Sequence, residues 1–503
     1  MNAHATPLSW ADRGAARRVD PRLFIDGMAR EAVAAGKIAV INPATLERQY
    51  EIPDSGIEDV DAAVCSARIA FDDGRWCSLP PAGRRTLLLN FAALVEANAD
   101  ELALDDTLDM GKPIANSIAE APIAAGFLRF NAEAIDKLAG VVVPTMDNCI
   151  ELQVNEARGV VAAIVPWNFP TINAALKLGP ALAAGNTVVL KPSELAPSSA
   201  LRLVRLAREA GIPDGVFNVL LGGATAGREL VAHRSTDMVA FTGATPTGRA
   251  ILREIGGTRL KPALLECGGK SPQIVFDDAA EFGVHDIARA LVRDALWNSG
   301  QVCVARARLI IQAGIYPLVV DALRAELEVV RFGDPLDLAT KYGPLASSVQ
   351  RKRVEEYVSS ALRGGAMQSL RLPAGSLPAG GCYVAPALFT DVAPSASIVQ
   401  EEVFGPVLTV QKFGAESEGI ELANSTEYGL AATVWTPSLP RALRLARAVR
   451  AGTVQVAGST AMSPGSGFAH ASEPRGQSGF GAEGGMPGLR NYTTLKTIRL
   501  VGG

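Results

Sequence analysis

From residue 160 onward the apolar positions fall into short unbroken runs: 160–165 (VVAAIV), 187–190 (TVVL), 216–221 (VFNVLL) and 238–241 (MVAF). Helix-length segments separate them, at 171–184, 197–211, 224–232 and 246–256. Short β-runs alternating with amphipathic helices predict βαβ units and a parallel sheet. The runs are apolar throughout rather than alternating, the pattern of strands covered on both faces. A second α/β block starts near 266, with helices expected at 284–298 and 316–329 and strands at 307–312, 407–412 and 430–436.

The flanks follow other patterns. Residues 57–138 read as helical: Ala63, Ala67, Ala70 and Phe71 mark one apolar face, and Leu87, Leu88, Phe91, Leu94 and Val95 another. Residues 1–35 read as a mobile or peripheral leader. Segment 141–159 is β-rich but has no neighbouring strand in sequence. The strand-like tail 492–501 (YTTLKTIRLV) is its expected partner, within one subunit or across an interface. Between them, 458–488 is rich in Gly, Ser, Ala and Pro and reads as a long ordered loop or a lid.

Composition narrows the class. The 503 residues carry 48 Lys+Arg against 52 Asp+Glu and are 48% hydrophobic, which excludes a disordered chain and leaves room for two or three domains. A net charge of −4 without a dense basic run argues against nucleic acid as a partner. No apolar run approaches the roughly 18–20 residues of a membrane span. The six cysteines are scattered with no CxxC, so no metal site is expected and the chain fits a reducing cytoplasm.

Six short segments can carry chemistry. In WNSGQVC the thiol Cys303 follows a helix end, and is either a nucleophile with a depressed pKa or an inert core cysteine. In LECGGKSP the carboxylate of Glu266 leaves an apolar strand; burial there raises its pKa and suits a general base, with a cap or ion pair as the plain alternative. The GGKS run is no P-loop, because Leu264 stands where that motif needs glycine. In VPWNFP, prolines bracket Asn168 at the edge of a parallel sheet, where its amide can meet an oxyanion or simply close its own turn. Lys191 and Glu194 follow a strand and can reach a ribose diol. A carboxylate there repels a 2′-phosphate and favours NAD over NADP. In FTGATPTG a strand passes through Gly243 into a helix start suited to a pyrophosphate. EEVFGP, with Glu402, reads alone as an ordinary turn.

In this order and spacing, PWNFP, KPSE, FTG, LE-x-GGKSP, GQ-x-C and EEVFGP resemble the NAD(P)-dependent aldehyde dehydrogenase superfamily, from about Leu23 to Leu500. The N-terminal half, with RLFIDG and LDMGKPI, is similar to its γ-glutamyl-aminobutyraldehyde and general aliphatic branches. The resemblance implies an α/β fold: a Rossmann-type NAD domain (1–140 and 160–265), an α/β catalytic domain (266–470) and a β oligomerisation arm (141–159 and 485–503) in a homodimer or homotetramer. It implies that Cys303 attacks an aldehyde and that Asn168 and the Cys303 N–H hold the oxyanion. Glu266 then activates water against the thioester. It maps Pro166, Trp167, Lys191, Glu194, Gly243, Ala244, Gly248, Glu402 and Phe404 onto the cofactor site. Lys177 matches a lysine near the centre, with no role assigned.

Three departures bear on this. Ala244 replaces the usual serine of the phosphate turn. Cys267 puts a second thiol beside the base. The stretch from Ala457 through GSTAMSPGSGFAHASEPRGQSGFG matches the family loop only at Ser478, Gly479 and Gly481. The substrate tunnel is expected to involve Asn173, Leu176, Val302 and Ala457. Small groups there favour a bulky or long aldehyde (aromatic, aliphatic or ω-amino). Two rivals remain at this point: a CoA-acylating enzyme, against which Glu266 argues, and a silent scaffold on the same fold.

Overall fold

The computed structural model describes residues 8–370, 372, 375–457 and 468–501. Two open sheets organise the chain. The first has at its centre five parallel strands, β7 (Val160–Ile164), β8 (Thr187–Lys191), β9 (Phe217–Val219), β10 (Met238–Thr242) and β11 (Ala263–Glu266). Their spatial order is β9-β8-β7-β10-β11. The chain enters at β7, winds outward through β8 and β9, then crosses to the other side for β10 and β11. The C-terminal ends of β7 and β10 therefore diverge around a crevice, the place where such sheets bind ligands. Every residue of Val160–Ala163 and Val188–Leu190 is buried, as continuous apolar runs require. Helices α7 (Pro170–Ala183), α8 (Ser198–Glu209), α9 (Ala224–Ala232) and α10 (Thr245–Gly257) follow these strands. They agree with the expected spans to within two residues.

The second sheet, in the order β14-β15-β16-β13-β12-β18-β19, is parallel except for its edge strand β14 (Met367–Gln368). Its strands are β12 (Pro272–Val275), β13 (Arg308–Gln312), β15 (Ala387–Thr390), β16 (Val407–Phe413), β18 (Ala431–Trp435) and β19 (Thr453–Ala457). Helices α11 (Val284–Leu296), α12 (Tyr316–Glu328) and α13 (Ser348–Arg363) belong to this half. The third unit is the expected pairing of orphan segments. Strand β22 (Thr493–Val501) runs antiparallel to β6 (Cys149–Ala157) over nine residues, with β5 (Val141–Val143) on the far edge.

The C-terminal segment stitches the two sheets together. Strand β20 (Arg475–Gly476) pairs with β17 (Tyr428–Gly429), and β21 (Gly479–Phe480) pairs with β11 of the first sheet. The expected loop or lid is therefore an ordered strap from 468 onward; residues 458–467 lie outside the described residues.

The leader expectation is corrected. Residues 8–35 are built in: α1 (Trp10–Ala16) is followed by buried Arg17, whose guanidinium bonds Asp105 and Asp109, each at 2.8 Å. Strand β1 (Leu23–Ile25) is fully buried, pairs with β9 and carries β2 (Met28–Arg30) on its outer edge. Strands of three residues carry too little periodicity to be read, and one arginine does the anchoring. The hairpin β3 (Lys37–Ile41) and β4 (Arg48–Pro53) was also not expected. The helical region resolves into α2 (Ile57–Asp72), α3 (Pro81–Ala97), α4 (Ala99–Met110), α5 (Ile114–Ser117) and α6 (Glu120–Ala134). Ala63, Ala67, Ala70, Leu88, Phe91 and Val95 are buried, while Phe71, Leu87 and Leu94 are partly so.

Candidate active site

The ends of β7, β10 and β11 open into a cavity of about 410 Å3 between the two sheets. It is lined by Pro166, Trp167, Asn168, Gly243, Ala244, Glu266, Cys303, Glu402 and Phe404, so the structure brings together residues from five of the six segments. Asn173, Leu176 and Val302 also line it. Lys191, Glu194 and Gly248 do not. Lys191 ends β8, buried, with Glu194 at 3.8 Å. Gly248 lies in the first turns of α10, where a Cβ would stand 2.8 Å from the Cys267 sulfur. Ala457 is not among the residues that line the cavity; it pairs with Trp435 at the end of β19 and packs into the core of the second sheet.

The backbone around the thiol is held by close approach. Helix α11 ends at Leu296, and Asn298, Ser299 and Gly300 then take left-handed φ values of 49°, 56° and 79°. This reverses the chain and presents Cys303. A Cβ on Gly300 would collide with the Gly405 carbonyl, and one on Gly269 would come within 2.5 Å of the Cys303 carbonyl. The glycines of GGKS and GQ-x-C thus serve chain packing around the thiol. Phe404 also holds φ 60°, costly for a bulky residue. It is locked there by Gln350 of α13, whose Nε2 donates to the Phe404 carbonyl at 2.8 Å, and by an edge-to-face contact with Trp167 at 5.4 Å.

Asn168 is fixed by a ring of amides. Its Nδ2 donates to the Gln301 carbonyl at 3.0 Å, and Asn298 Nδ2 donates to the Asn168 carbonyl at 3.1 Å. Gln301 in turn donates to the Asn298 carbonyl at 3.1 Å. Three residues of the two motifs thereby set one another's orientation.

The electrostatics disfavour charge. Burial, then Glu402 and Glu266, push the Cys303 thiol up to about 12. Burial pushes Glu402 up to about 7, against a bond of 3.1 Å from the Gly269 N–H. Glu266 is raised well above the usual carboxylate range by burial and then by Glu483, while Lys177 opposes the shift. Its Oε1 is buried without a hydrogen-bond partner, as is Thr242 Oγ1 at the same cavity. Glu483 was not anticipated: it lies in the divergent strap, lines the cavity and pairs with fully buried Lys177. No motif marks Glu483, but Lys177, a lysine inside the apolar pattern of α7, was a signal that a buried anion must exist. Cys267 is buried in the core of the first sheet, its sulfur facing Gly248 of α10, which fits packing rather than reactivity.

The cofactor residues can be tested against NAD. Lys191 at the end of β8 with Glu194 just beyond it, and at the cavity the turn Gly243–Ala244 and the unpartnered Thr242 hydroxyl, supply polar groups that fit such a ligand. The helix start is poorer than expected: Pro246 has no N–H, and the N–H groups of Thr247 and Gly248 return to the Ala244 carbonyl. Among the described residues no group of three His, Cys, Asp or Glu is placed to hold a metal, and no helix is long and apolar enough to cross a membrane.

A thiol, an amide donor and a buried carboxyl around one cavity can add to a carbonyl, hold the oxyanion and activate water. Known proteins agree with that chemistry. The model of the aldehyde dehydrogenase family matches residues 30–498. The chain is 40% identical to the NADP/NAD-dependent aldehyde dehydrogenase PuuC of Escherichia coli, covering 99% of each chain. It is 41% identical to an aminoacetaldehyde dehydrogenase of Pseudomonas aeruginosa, covering 95% of each. Among solved structures it is similar to the P. syringae indole-3-acetaldehyde dehydrogenase AldA in complex with NAD+ and IAA. The TM-score there is 0.93 at 39% identity, covering 98% of this chain and 99% of that one.

Proposed function

The chain belongs to the aldehyde dehydrogenase family, and from that premise we propose how its own residues carry out the reaction. It is an NAD-dependent oxidoreductase that converts an aldehyde to a carboxylic acid. Cys303 is the nucleophile: its thiol loses a proton to solvent as sulfur bonds the carbonyl carbon, and loss of hydride from that adduct leaves a thioester. An aldehyde has no leaving group, so hydride departs only after sulfur has made the carbon tetrahedral. The Asn168 amide and the Cys303 N–H hold the resulting oxyanion, a contact worth about 3–4 kcal/mol in such sites. Bound NAD supplies the hydride acceptor. Lys191 and Glu194 would hold its adenosine ribose and Glu402 its nicotinamide ribose. Glu266 then draws a proton from water, which attacks the thioester on Cys303 and frees the acid.

One observation carries this reading: Cys303, Glu266 and Asn168 line one cavity at the strand switch point. A buried carboxyl with an unpartnered oxygen favours water over CoA as the acyl acceptor. The organic side of the cavity is walled by Phe127, Phe169, Ile172, Leu176 and Trp297, which suits a bulky or long substrate. Of the relatives named above, the indole-3-acetaldehyde dehydrogenase is named for a bulky aldehyde and the aminoacetaldehyde dehydrogenase for a short one. Six free thiols fit a cytoplasmic protein. The arm, with exposed Ile150, Ile498 and Leu500, supports a homodimer or homotetramer.

Cys303→Ala tests the assignment. NADH formation at 340 nm should vanish with every aldehyde while NAD binding persists. Appreciable turnover by the variant would show that another group is the nucleophile.

A further inference from the structure

A buried ionic cluster stands behind the aldehyde wall and has no part in the chemistry above. Gly111, at φ 82°, ends α4 and turns the next residue, Lys112, into the interior, where it is fully buried. Its ammonium pairs with Glu120 at the start of α6 and stands 3.9 Å from the centre of the Phe169 ring. Asp106 of α4 accepts from Thr171 at the first turn of α7, from Oγ1 at 2.8 Å and from N–H at 3.4 Å. Asp106 Oδ1 and Glu120 Oε2 are buried without partners. Burial pushes Asp106 up to about 6 and Glu120 up to about 7, with Lys112 opposing both.

Such a cluster is a poor way to gain stability, because apolar side chains of the same volume usually do as well. What it touches supplies a better reason. Phe169 lines the cavity next to Asn168 and leans on Trp297, with ring centres 5.2 Å apart. Thr171 is the second residue of α7, two beyond Phe169. A desolvated cation under an aromatic face holds that ring at one angle.

We propose that Lys112, steadied by Glu120, is a positioning residue for aldehyde binding: it fixes the Phe169 ring as the surface on which the organic group packs, while Asp106 fixes the turn from Asn168 into α7. This rests on the cavity being the aldehyde site.

Lys112→Met keeps the stem and removes the charge. The KM for phenylacetaldehyde should rise about tenfold, the scale of a buried cation–π contact. The KM values for NAD and for acetaldehyde, which has only a methyl group to pack, should change by no more than about twofold, the scale of an exposed contact. Lys112→Arg should restore most of the loss. In a Phe169→Leu background, Lys112→Met should add nothing further. An equal rise for both aldehydes, or an effect that persists without the ring, would overturn the proposal. If Lys112→Met does not fold, Glu120→Gln should raise the same KM selectively, and no rise would be equally adverse. A wild-type protein that oxidises neither aldehyde would instead remove the functional assignment beneath it.

Discussion

Burial and neighbouring carboxylates raise both the Cys303 thiol and the Glu266 carboxyl above their usual ranges. The base works only in its ionised form, so activity falls as pH drops through the raised Glu266 value. Glu483 contributes to that rise and Lys177 opposes it. Glu483→Gln removes the like charge and frees Lys177, so the acid limb of kcat against pH should move to lower pH. A limb that stays in place or moves up would separate Glu483 from the base. Glu266→Gln should slow steady-state turnover by about 10²–10⁴-fold, the usual range for a positioned base, while leaving a burst of NADH. Loss of the burst as well would place Glu266 before hydride transfer. At this scale the sequence was informative wherever a short motif fixed a residue, as at Cys303, Glu266 and Asn168. It was silent on Glu483, whose partner Lys177 lies 306 positions away.

Elements bring these residues together through contacts between backbones. Gly300→Ala puts a methyl group into the Gly405 carbonyl and onto a left-handed residue. It should cost activity far more than global stability, because the two turns it forces apart carry Cys303 and Phe404. A variant with normal kcat/KM would show that the turns tolerate separation. Arg17→Ala should act in the opposite sense. It leaves Asp105 buried with Arg202 and Asp109 buried with the Tyr50 and Ser198 hydrogen bonds, and should lower stability by about 3–5 kcal/mol by urea unfolding. The long apolar runs between 160 and 266 were legible because strands covered on both faces must be continuous in sequence. Strands β1 and β2 were not, since three residues show no period and the pairing of β1 with β9 is set from some 190 positions away.

For the molecule as a whole, one face of the arm stays apolar and open. Ile498 pairs with Leu152 and Leu500 with Ile150, so these four side chains form a strip on one side of β22 and β6. Ile498→Glu with Leu500→Glu should leave the fold intact but reduce the particle mass in light scattering; an unchanged mass would move the subunit contact elsewhere. The strap from 468 to 484 joins the sheets and contributes His470, Ser472, Glu483 and Gly484 to the lining of the cavity that holds Cys303. The most direct measurement is intact-protein mass spectrometry during turnover of an aryl aldehyde with NAD by the Glu266→Gln variant. An adduct with the mass of the acyl group should accumulate and map to the Cys303 peptide. Acid product formed with no adduct on Cys303 at any time would contradict covalent catalysis by this thiol.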